Sequence, residues 1–396
     1  MKKKRTKLYL FNEYATRERL EGIKELLDIL PDPDQILEDN EYDYGIYRNL
    51  LTDPHLMAAI QQRKQQILQM DYEIESNGNE EKIKQIKEII NNLPIQTILS
   101  DILDCIFFGY SVQEVIYDYI NNQIIPIDLI YKPQEWFIFN QKNELMIRRY
   151  ENGSYIFQEG ETLPPLKFIV NQYNPTYDNP YGEKILSRCY WPITFKRTTI
   201  EFWQTMVEKF GMPYLIGYYA TGATIQEQEE LLDQLEELQK NNIGVLDTKF
   251  YGQIEIKESP KYDIGQLYEL LVKFHNTEIA KAVLTVTLTI DIGATGSYKL
   301  GEVHKQMLEY IGLTDKKIAE AGINKLLEYW NYLNYGIIED TPKFKLKKKE
   351  EIIASSAKRD ETLRKMGIKF TDKYYQKRYN LSREDFTMEK TNKKME

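Results

Sequence analysis

The chain has 396 residues, in which 52 Lys and Arg stand against 61 Asp and Glu, so its formal net charge is −9. A protein that wraps and holds nucleic acid needs a basic excess to neutralise phosphates, and this balance argues against a simple DNA-clamping protein. Cys105 and Cys189 are too few for a disulfide framework or a four-ligand zinc site, and they suggest a reducing compartment. No run of about 18 apolar residues occurs, so we expect a soluble protein made in the cytosol.

The first part of the chain predicts an arm followed by a mixed helix and strand domain. Residues 1–52 contain a Pro-Asp-Pro-Asp segment beginning at Pro31 and an acidic stretch to Asp43, which predicts an N-terminal arm and a solvated acidic linker. Asp53 then precedes Pro54 and a helical apolar pattern, so Asp53 is the expected N-cap. Three helices are predicted at 53–70, 81–92 and 95–108, and four strands at 71–75, 111–119, 126–131 and 135–139.

Two long helices of similar length flank a small insertion in the middle of the chain. One apolar face covers Pro192–Phe210 and ends at Gly211, and a second covers Asp263–Leu284. At 1.5 Å per residue each helix is roughly 30 Å long, so we expect the two to pair antiparallel. The residues between them predict a β-α-β-β module, with strands at 214–219, 244–249 and 253–258 and a helix at 224–239.

An alternating segment and a very long helix come next. Thr285–Ile292 alternates polar and apolar side chains, which predicts a strand, and a Gly-rich turn follows at 293–297. A helix is predicted over Lys299–Tyr335, with a kink or close packing at its internal glycines, Gly312 and Gly322.

The C-terminal part begins with a cluster of lysines and is charged throughout. The cluster comprises Lys343, Lys345, Lys347, Lys348 and Lys349. Such a cluster is usually a solvated face, and a phosphate- or partner-binding role is the alternative. Helices are predicted at 350–366 and 371–379, and the polar composition from Glu389 onward predicts disorder.

The sequence contains no motif that indicates catalysis. The surroundings of Lys299 resemble the setting of a phosphate-binding loop, but Tyr298 and Leu300 stand where that loop needs Gly and Ser or Thr. The three histidines form no zinc-binding pair and lie near no nucleophile motif. We therefore expect no enzyme activity, no catalytic residue, no metal site and no cofactor.

Several short segments occur in an order and spacing typical of one family. They are Asp53-Pro54-His55 with Gln62-Arg63-Lys64, Phe108-Gly109-Tyr110-Ser111-Val112-Gln113-Glu114, Asn179-Pro180-Tyr181-Gly182, Tyr190-Trp191-Pro192 with Lys196-Arg197, Lys209-Phe210-Gly211-Met212-Pro213, and Gly296-Ser297-Tyr298-Lys299-Leu300-Gly301 with Val303-His304. Taken together they resemble the portal proteins of tailed bacteriophages, specifically the Mu-type branch. The resemblance runs from about residue 50 to 340, and a weaker similarity continues to Phe386.

The resemblance implies an α+β portal fold, in which twelve copies form a ring around a central channel. The fold comprises a mixed α/β wing, a two-helix stem, a small β-α-β-β clip, a tunnel loop and a long wing helix. The implied boundaries are an arm and linker at 1–52, the wing at 53–190, the stem helices at 191–211 and 263–284, the clip at 212–262, the tunnel loop at 285–298, the long wing helix at 299–340, and a basic C-terminal region at 341–396 with room for a short crown.

The resemblance also implies which residues meet DNA and partner proteins. The expected channel lining is Thr287, Thr289, Asp291, Thr295, Ser297 and Lys299. The expected docking residues of the clip are Glu229, Glu230, Glu236 and Glu237, and the notable stem cations are Lys196, Arg197 and Lys209. The alternatives are an ordinary half-buried strand before a solvated helix for the lining, and a solvated helix face for the clip.

The implied function is a channel at the capsid vertex through which double-stranded DNA is packaged and ejected. The implied partners are other copies of the chain, the DNA, the terminase large subunit, a head-completion or adaptor protein, and a capsid or scaffold protein, with no membrane. The chain would be found in the virion and, during assembly, in the host cytoplasm. An acidic ring suits this role, since it lets DNA slide without holding it. A packaging-associated nuclease or nucleotide hydrolase and a non-ring adaptor or scaffold are the alternatives.

Overall fold

The computed structural model consists of helices and antiparallel strands. It describes residues 29–75, 80–151, 154–210, 214–218, 222–241, 254–257, 264–285, 298–336, 341–347, 354–366, 368, 370, 371 and 374. The helices are α1 (Gln35–Glu38), α2 (Gly45–Leu50), α3 (Pro54–Leu68), α4 (Glu80–Asn92), α5 (Ile95–Leu103), α6 (Cys105–Phe108), α7 (Ile185–Phe210), α8 (Ile225–Asn241), α9 (Ile264–Leu284), α10 (Tyr298–Tyr335) and α11 (Ala354–Lys365). The strands are β1 (Ile29–Leu30), β2 (Asp71–Glu75), β3 (Tyr110–Ile120), β4 (Gln123–Lys132), β5 (Phe137–Asn140), β6 (Leu145–Glu151), β7 (Ser154–Thr162), β8 (Phe168–Gln172), β9 (Tyr214–Gly217), β10 (Ile254–Lys257) and β11 (Lys343–Lys347).

Side-chain caps explain where the first helices begin. Asp53 Oδ1 accepts hydrogen bonds from the backbone N–H groups of His55 and Leu56, at 3.0 Å each, which confirms the predicted N-cap of α3. Pro54 takes the first helical position, where the helix needs no donor. Asp34 caps α1 in the same way. These ends are set by local chemistry, so the sequence pattern predicted α3 well.

The described strands pair antiparallel in four sheets, with the orders β1-β5-β6-β7, β4-β3-β8, β2-β11 and β9-β10. The strand predicted at 71–75 is confirmed as β2, and the three predicted between 111 and 139 are confirmed as β3, β4 and β5, with ends that differ by a few residues. Strands β6, β7 and β8 were not predicted: β6 and β7 mix charged residues with apolar ones, and β8 is only five residues long.

The helix α10 crosses the three-stranded sheet so closely that it needs a glycine at the crossing point. A Cβ atom on Gly322 would lie 2.6 Å from Asn171 Oδ1 and 2.8 Å from Ile102 Cδ1. The close packing predicted at Gly322 is therefore confirmed. At Gly312 the nearest atoms, on Gln66, would lie 3.6 Å away, which is an ordinary contact.

The segment before α3 is not the solvated linker that its acidity predicts. Tyr44 and Tyr47 are buried, and the buried side chains of Lys184 and Asp32 form an ion pair with 2.7 Å between Nζ and Oδ1. The Tyr44 hydroxyl donates to Asp32 Oδ2 at 3.0 Å. The prediction is wrong because Asp32 is matched by Lys184, which is 152 residues away along the chain, and by the Tyr44 hydroxyl of its own segment.

The C-terminal lysines within the described residues lie on β11, which pairs with β2. Their ammonium groups face carboxylates, in the pairs Lys343 with Glu328 at 3.3 Å, Lys345 with Glu320 at 3.4 Å, and Lys347 with Glu73. The lysine side chains stay about half exposed, so each pair contributes little to stability. This arrangement favours the solvated-face interpretation for these three lysines.

The two long helices around the insertion have bounds close to the prediction. Helix α7 begins at Ile185, earlier than expected, and carries Pro192 in its interior. In the insertion, β9, α8 and β10 correspond to three predicted elements, whereas the predicted strand at 244–249 lies outside the described residues.

Candidate functional site

Helices α7 and α9 form the antiparallel pair that the sequence predicts. Trp203 stacks on Tyr268 with 6.3 Å between ring centroids, and the Phe195 and His275 rings lie 6.2 Å apart. From one contact to the other the residue number rises along α7 and falls along α9, so the helices run in opposite directions. Aromatic contacts of this kind hold the pair together along its length.

Two of the three cations singled out on α7 anchor this helix pair to the rest of the fold. Lys196 is only 5% exposed, and its ammonium pairs with the Asp53 carboxylate and donates to Asn276 Oδ1 at 3.0 Å. Arg197 donates to the side-chain and backbone oxygens of Asn49, at 2.9 Å each. Both cations are therefore occupied by contacts within the chain.

Both helices leave large apolar side chains in solvent. On α9 these are Leu267, Leu270, Leu271 and Phe274, which are 58%, 62%, 39% and 56% exposed. On α7, Trp191, Phe195 and Phe202 are 55%, 51% and 61% exposed and lie on one side of the helix, while the exposed Ile200 and Val207 lie on the opposite side. At 100° per residue the four side chains on α9 fall within an arc of about 100° around the helix axis. Trp191, Phe195 and Phe202 on α7 fall within an arc of about 40°. We call them the α9 stripe and the α7 stripe, and such exposed apolar stripes are typical of protein–protein surfaces.

A buried arginine joins the C-terminal end of α9 to the long helix α10. Arg63, on α3, donates from Nε and Nη2 to the Asp315 carboxylate at 2.7 and 2.9 Å and from Nη1 to the Val283 carbonyl at 2.8 Å. The two charged side chains are only 4% and 1% exposed. One guanidinium thus fixes the chain on both sides of residues 286–297, through a bidentate and charge-assisted contact.

The structural role of Arg63 was not predicted, although a signal was present. Arg63 shares one face of α3 with the buried residues Ala59, Ile60 and Ile67. A charged residue on an apolar helix face indicates a buried ion pair. Its partner, 252 residues away, could not be found from the pattern.

The candidate channel residues fall between α9 and α10. Five of them lie outside the described residues, namely Thr287, Thr289, Asp291, Thr295 and Ser297. Lys299 lies in the first turn of α10, which begins at Tyr298. Thr285, which closes α9, has a φ of 56°, a left-handed conformation that a β-branched residue rarely adopts. The strand predicted from Thr285 therefore does not begin there, and its continuation at 286–292 lies outside the described residues.

The acidic residues of the inserted module lie on α8. Glu229, Glu230 and Glu236 are exposed. Leu231 is buried and contacts Gly217 of β9, so Glu229 and Glu236 project from the opposite face of the helix. The side chains of Glu237, Lys209 and Lys299 are not among those described. Carboxylates are thus presented to solvent on a small supporting sheet.

A capping box fixes the start of α8. The Glu227 carboxylate accepts from the backbone N–H of Thr224 at 2.8 Å and from its hydroxyl at 2.9 Å. These hydrogen bonds lower the pKa of Glu227. The helix that carries the acidic face therefore has a defined first turn.

Within the described part of the chain no group of three or more His, Cys, Asp and Glu side chains could hold a metal ion. Cys105 and Cys189 are buried, and burial raises the pKa of both thiols, that of Cys189 to about 12. Neither is therefore a thiolate near neutral pH. Among the helices of the described residues, none combines the length and apolarity needed to cross a membrane.

Asp101, on α5, is a site where we expect stability to depend on pH. Burial, and then the charge of Asp104, raises the pKa of Asp101 to about 6. The folded state binds this proton more tightly than the unfolded state, whose carboxyl pKa is about 3.9, so stability falls as pH rises between these values. We expect Asp101→Asn to raise the free energy of unfolding at pH 7.5 by about 1.5 kcal/mol, a figure that is reduced because Asp101 is partly exposed. Urea titration measures this change.

The pH dependence separates this effect from a general gain in stability. Near pH 4 the Asp101 carboxyl is largely protonated in the folded state, so the advantage of Asp101→Asn is expected to fade there. Asp233→Asn, at an exposed position on α8, is the matched control and should change little at either pH. A gain of equal size at pH 4 and pH 7.5 would contradict the assignment.

Comparison with known proteins gives a consistent result at the level of sequence. The family model described as "Portal protein of Mu bacteriophage" matches residues 44–381. The portal protein of Escherichia phage Mu is 24% identical over 283 residues, which cover 70% of this chain and 54% of that protein. The Mu-like prophage FluMu protein gp29 of Haemophilus influenzae is 24% identical over 290 residues, with the same coverage. The chain thus spans about half the length of these two relatives.

Solved structures share the fold at low identity. A chain of the virion of the native gene transfer agent (GTA) particle has a TM-score of 0.56 and 12% identity, over 85% of this chain and 93% of that one. A chain of the neck of the native GTA particle, computed with C12 symmetry, has a TM-score of 0.56 and 11% identity, over 86% and 93%. Since the family model covers most of the sequence, the chain belongs to the Mu-type family of phage portal proteins, and its α+β fold is a portal fold.

Proposed function

We propose that this chain forms a portal ring at the capsid vertex of a tailed phage or prophage particle, a channel through which double-stranded DNA enters and leaves. Family membership supports this proposal, and the observation that carries it is the pair of exposed apolar stripes on α7 and α9. A monomer leaves both stripes in water, whereas a ring buries them between neighbours. In this assignment α7 and α9 are the stem and the inserted module is the clip.

The ring follows from a contact between two different surfaces. If the α9 stripe of one copy packs on the α7 stripe of the next, the contact is heterologous, and it closes into a ring when the rotation between neighbours is a whole fraction of a turn. We propose twelve copies, in keeping with the C12 symmetry named for the GTA neck. Native mass measurement and negative-stain imaging of the purified protein should show rings with a central hole. A monomer of 47.0 kDa under all conditions would contradict the proposal.

The proposed role is structural, and catalysis is not required for it. The ring would sit in the virion and would assemble in the host cytoplasm. Its proposed partners are the DNA, the terminase large subunit, a head-completion or adaptor protein, and a capsid or scaffold protein. The net charge of −9 per copy supports a channel that does not hold DNA tightly, since few phosphates would be neutralised.

The proposed lining of the channel comprises Thr287, Thr289, Asp291, Thr295, Ser297 and Lys299, of which Lys299 alone is basic. We expect Lys299→Ala to lower the amount of DNA retained after packaging, because a ring of positive charge next to the phosphates is lost. The measurement is nuclease-protected DNA per particle. Lys84→Ala, at an exposed position on α4, is the matched control. Unchanged retention in Lys299→Ala would remove this residue from the mechanism.

The clip is proposed to dock the packaging motor and later the head-completion protein through Glu229, Glu230, Glu236 and Glu237. Reversal of the three described carboxylates, Glu229, Glu230 and Glu236, to Lys is expected to weaken terminase binding about tenfold and to remove its salt dependence. The matched control reverses three exposed carboxylates on α4, Glu80, Glu81 and Glu88. Equal binding by both triple variants at low salt would rule out electrostatic docking at the clip.

A further inference from the structure

A groove of about 530 Å³ lies between β8, an edge strand of the sheet β4-β3-β8, and one side of α10. Its helix side is formed mainly by Lys317, Ile318, Ala321, Lys325 and Tyr329. The strand side is β8 itself. The groove is separate from the stripes on α7 and α9 and from the acidic face of α8.

The hydrogen-bond pattern shows which backbone groups of β8 face the groove. The Val115 N–H donates to the Lys167 carbonyl and the Tyr173 N–H donates to the Gly109 carbonyl, so odd-numbered residues along β8 bond to β3. Antiparallel alternation turns the N–H and C=O groups of the even-numbered residues away from β3. Among the described residues no strand pairs with this edge of β8, which borders the groove.

Three residues contribute backbone groups to this edge. The Phe168 carbonyl accepts from the Tyr329 hydroxyl at 3.0 Å. For Val170 and Gln172, no hydrogen bond of the backbone N–H or C=O is found within the described residues. Unpaired groups on an edge strand are a template for one more strand.

The charges at the groove specify what kind of strand would fit. Lys317 and Lys325 are exposed on either side of Ala321, and eight residues of helix place them about 12 Å apart. The Lys325 ammonium also lies 3.5 Å from the Glu328 carboxylate, and such an exposed pair contributes little, so it exchanges for a new partner at small cost. In an extended segment, residues i and i+4 lie on one face about 13 Å apart. Two carboxylates at these positions would reach the two ammonium groups, and an apolar residue midway would lie over Ala321 and Ile318.

We propose that this groove binds an extended segment of a partner protein, which pairs with β8 as an added strand. The segment carries two carboxylates four residues apart with an apolar side chain between them. Main-chain hydrogen bonds to Val170 and Gln172 provide affinity, and Lys317 and Lys325 provide selectivity. Because the chain as a whole is acidic, an acidic segment would be attracted here through these local cations alone.

The test uses the full purified chain and a fluorescein-labelled peptide in which two glutamates flank a central valine, with one threonine between each. Anisotropy titration should show saturable binding, and the same peptide with lysines in place of the glutamates should bind at least tenfold more weakly. Hydrogen exchange at residues 168–172 should slow when the acidic peptide is added. The charge reversal Lys317→Glu with Lys325→Glu should invert the preference between the two peptides.

Two further variants test whether binding depends on the groove itself or only on a change in charge. Lys84→Glu with Lys87→Glu makes the same change in charge at exposed positions on α4 and should leave the preference unchanged. Ala321→Trp, at an exposed helix position, should fill the groove and abolish binding. Equal binding of both peptides, or no slowing of exchange at Val170, would overturn the proposal. Strong protection of Val170 in the assembled ring without peptide would also overturn it, since the groove would then belong to a neighbouring copy.

Discussion

Replacement of Arg63 by Met is expected to lower the free energy of unfolding by about 3–5 kcal/mol. The substitution leaves the Asp315 carboxylate, which is 1% exposed, without its counterion, and the Val283 carbonyl without its donor. An unpaired buried charge costs far more than the lost attraction alone, because desolvation is no longer offset. Urea unfolding followed by tryptophan fluorescence measures the change.

Two comparisons show whether the buried pair is the cause. The double variant Arg63→Met with Asp315→Leu removes both charges and should recover most of the loss, since an apolar pair can replace a buried ion pair. Arg188→Met breaks the exposed pair with Glu183 and should cost less than about 1 kcal/mol. If Arg63→Met and Arg188→Met cost the same, the clamp between α3, α9 and α10 is not a stabilising element.

The double substitution Leu270→Glu with Phe274→Glu is expected to abolish ring formation while each chain stays folded. Both side chains belong to the α9 stripe and are 62% and 56% exposed in the single chain, so a carboxylate there meets water. In a ring the same positions are covered by a neighbour, and two unpaired charges per interface would have to be desolvated. Native mass measurement should give monomers where the unmodified chain gives rings.

The control adds the same charge away from the helix pair. Gln61→Glu with Gln65→Glu places two carboxylates at exposed positions on α3 and should leave ring formation intact. Circular dichroism and urea unfolding of both double variants confirm that the chains are folded. Rings of unchanged stoichiometry from Leu270→Glu with Phe274→Glu would exclude the α9 stripe from the interface.

Local chemistry in the sequence was sufficient for the longer helices and for several of the strands, whereas the short helices α1 and α2 were not predicted. The Asp53 cap, the apolar period of α9 and the long pattern of α10 depend on residues within a few positions of one another, and all three elements have nearly the predicted bounds. Close packing at Gly322 was also predictable, because a glycine inside a long helix is costly unless a neighbour needs the space.

For the candidate surfaces, the sequence predicted where the apolar face of a helix lies but not whether that face is buried. The apolar face of α9 was evident from its period, yet the pattern treats Leu270 and Ile279 alike, and the structure leaves the first 62% exposed and buries the second. Apolar spacing is the same whether a face packs within the chain or against another chain. Burial within a single copy therefore had to come from the tertiary structure.

Long-range partners and edges were decided by the tertiary structure alone. The acidity of residues 31–43 predicted solvation, but Asp32 pairs with Lys184. Arg63 likewise pairs with the distant Asp315. The open edge of β8 likewise depends on which strand lies beside it. By itself the sequence determined the longer helices, the family and the overall charge, because each depends on composition or on neighbours along the chain. Which charges are buried, and which surfaces stay open, depends on contacts that only folding brings together.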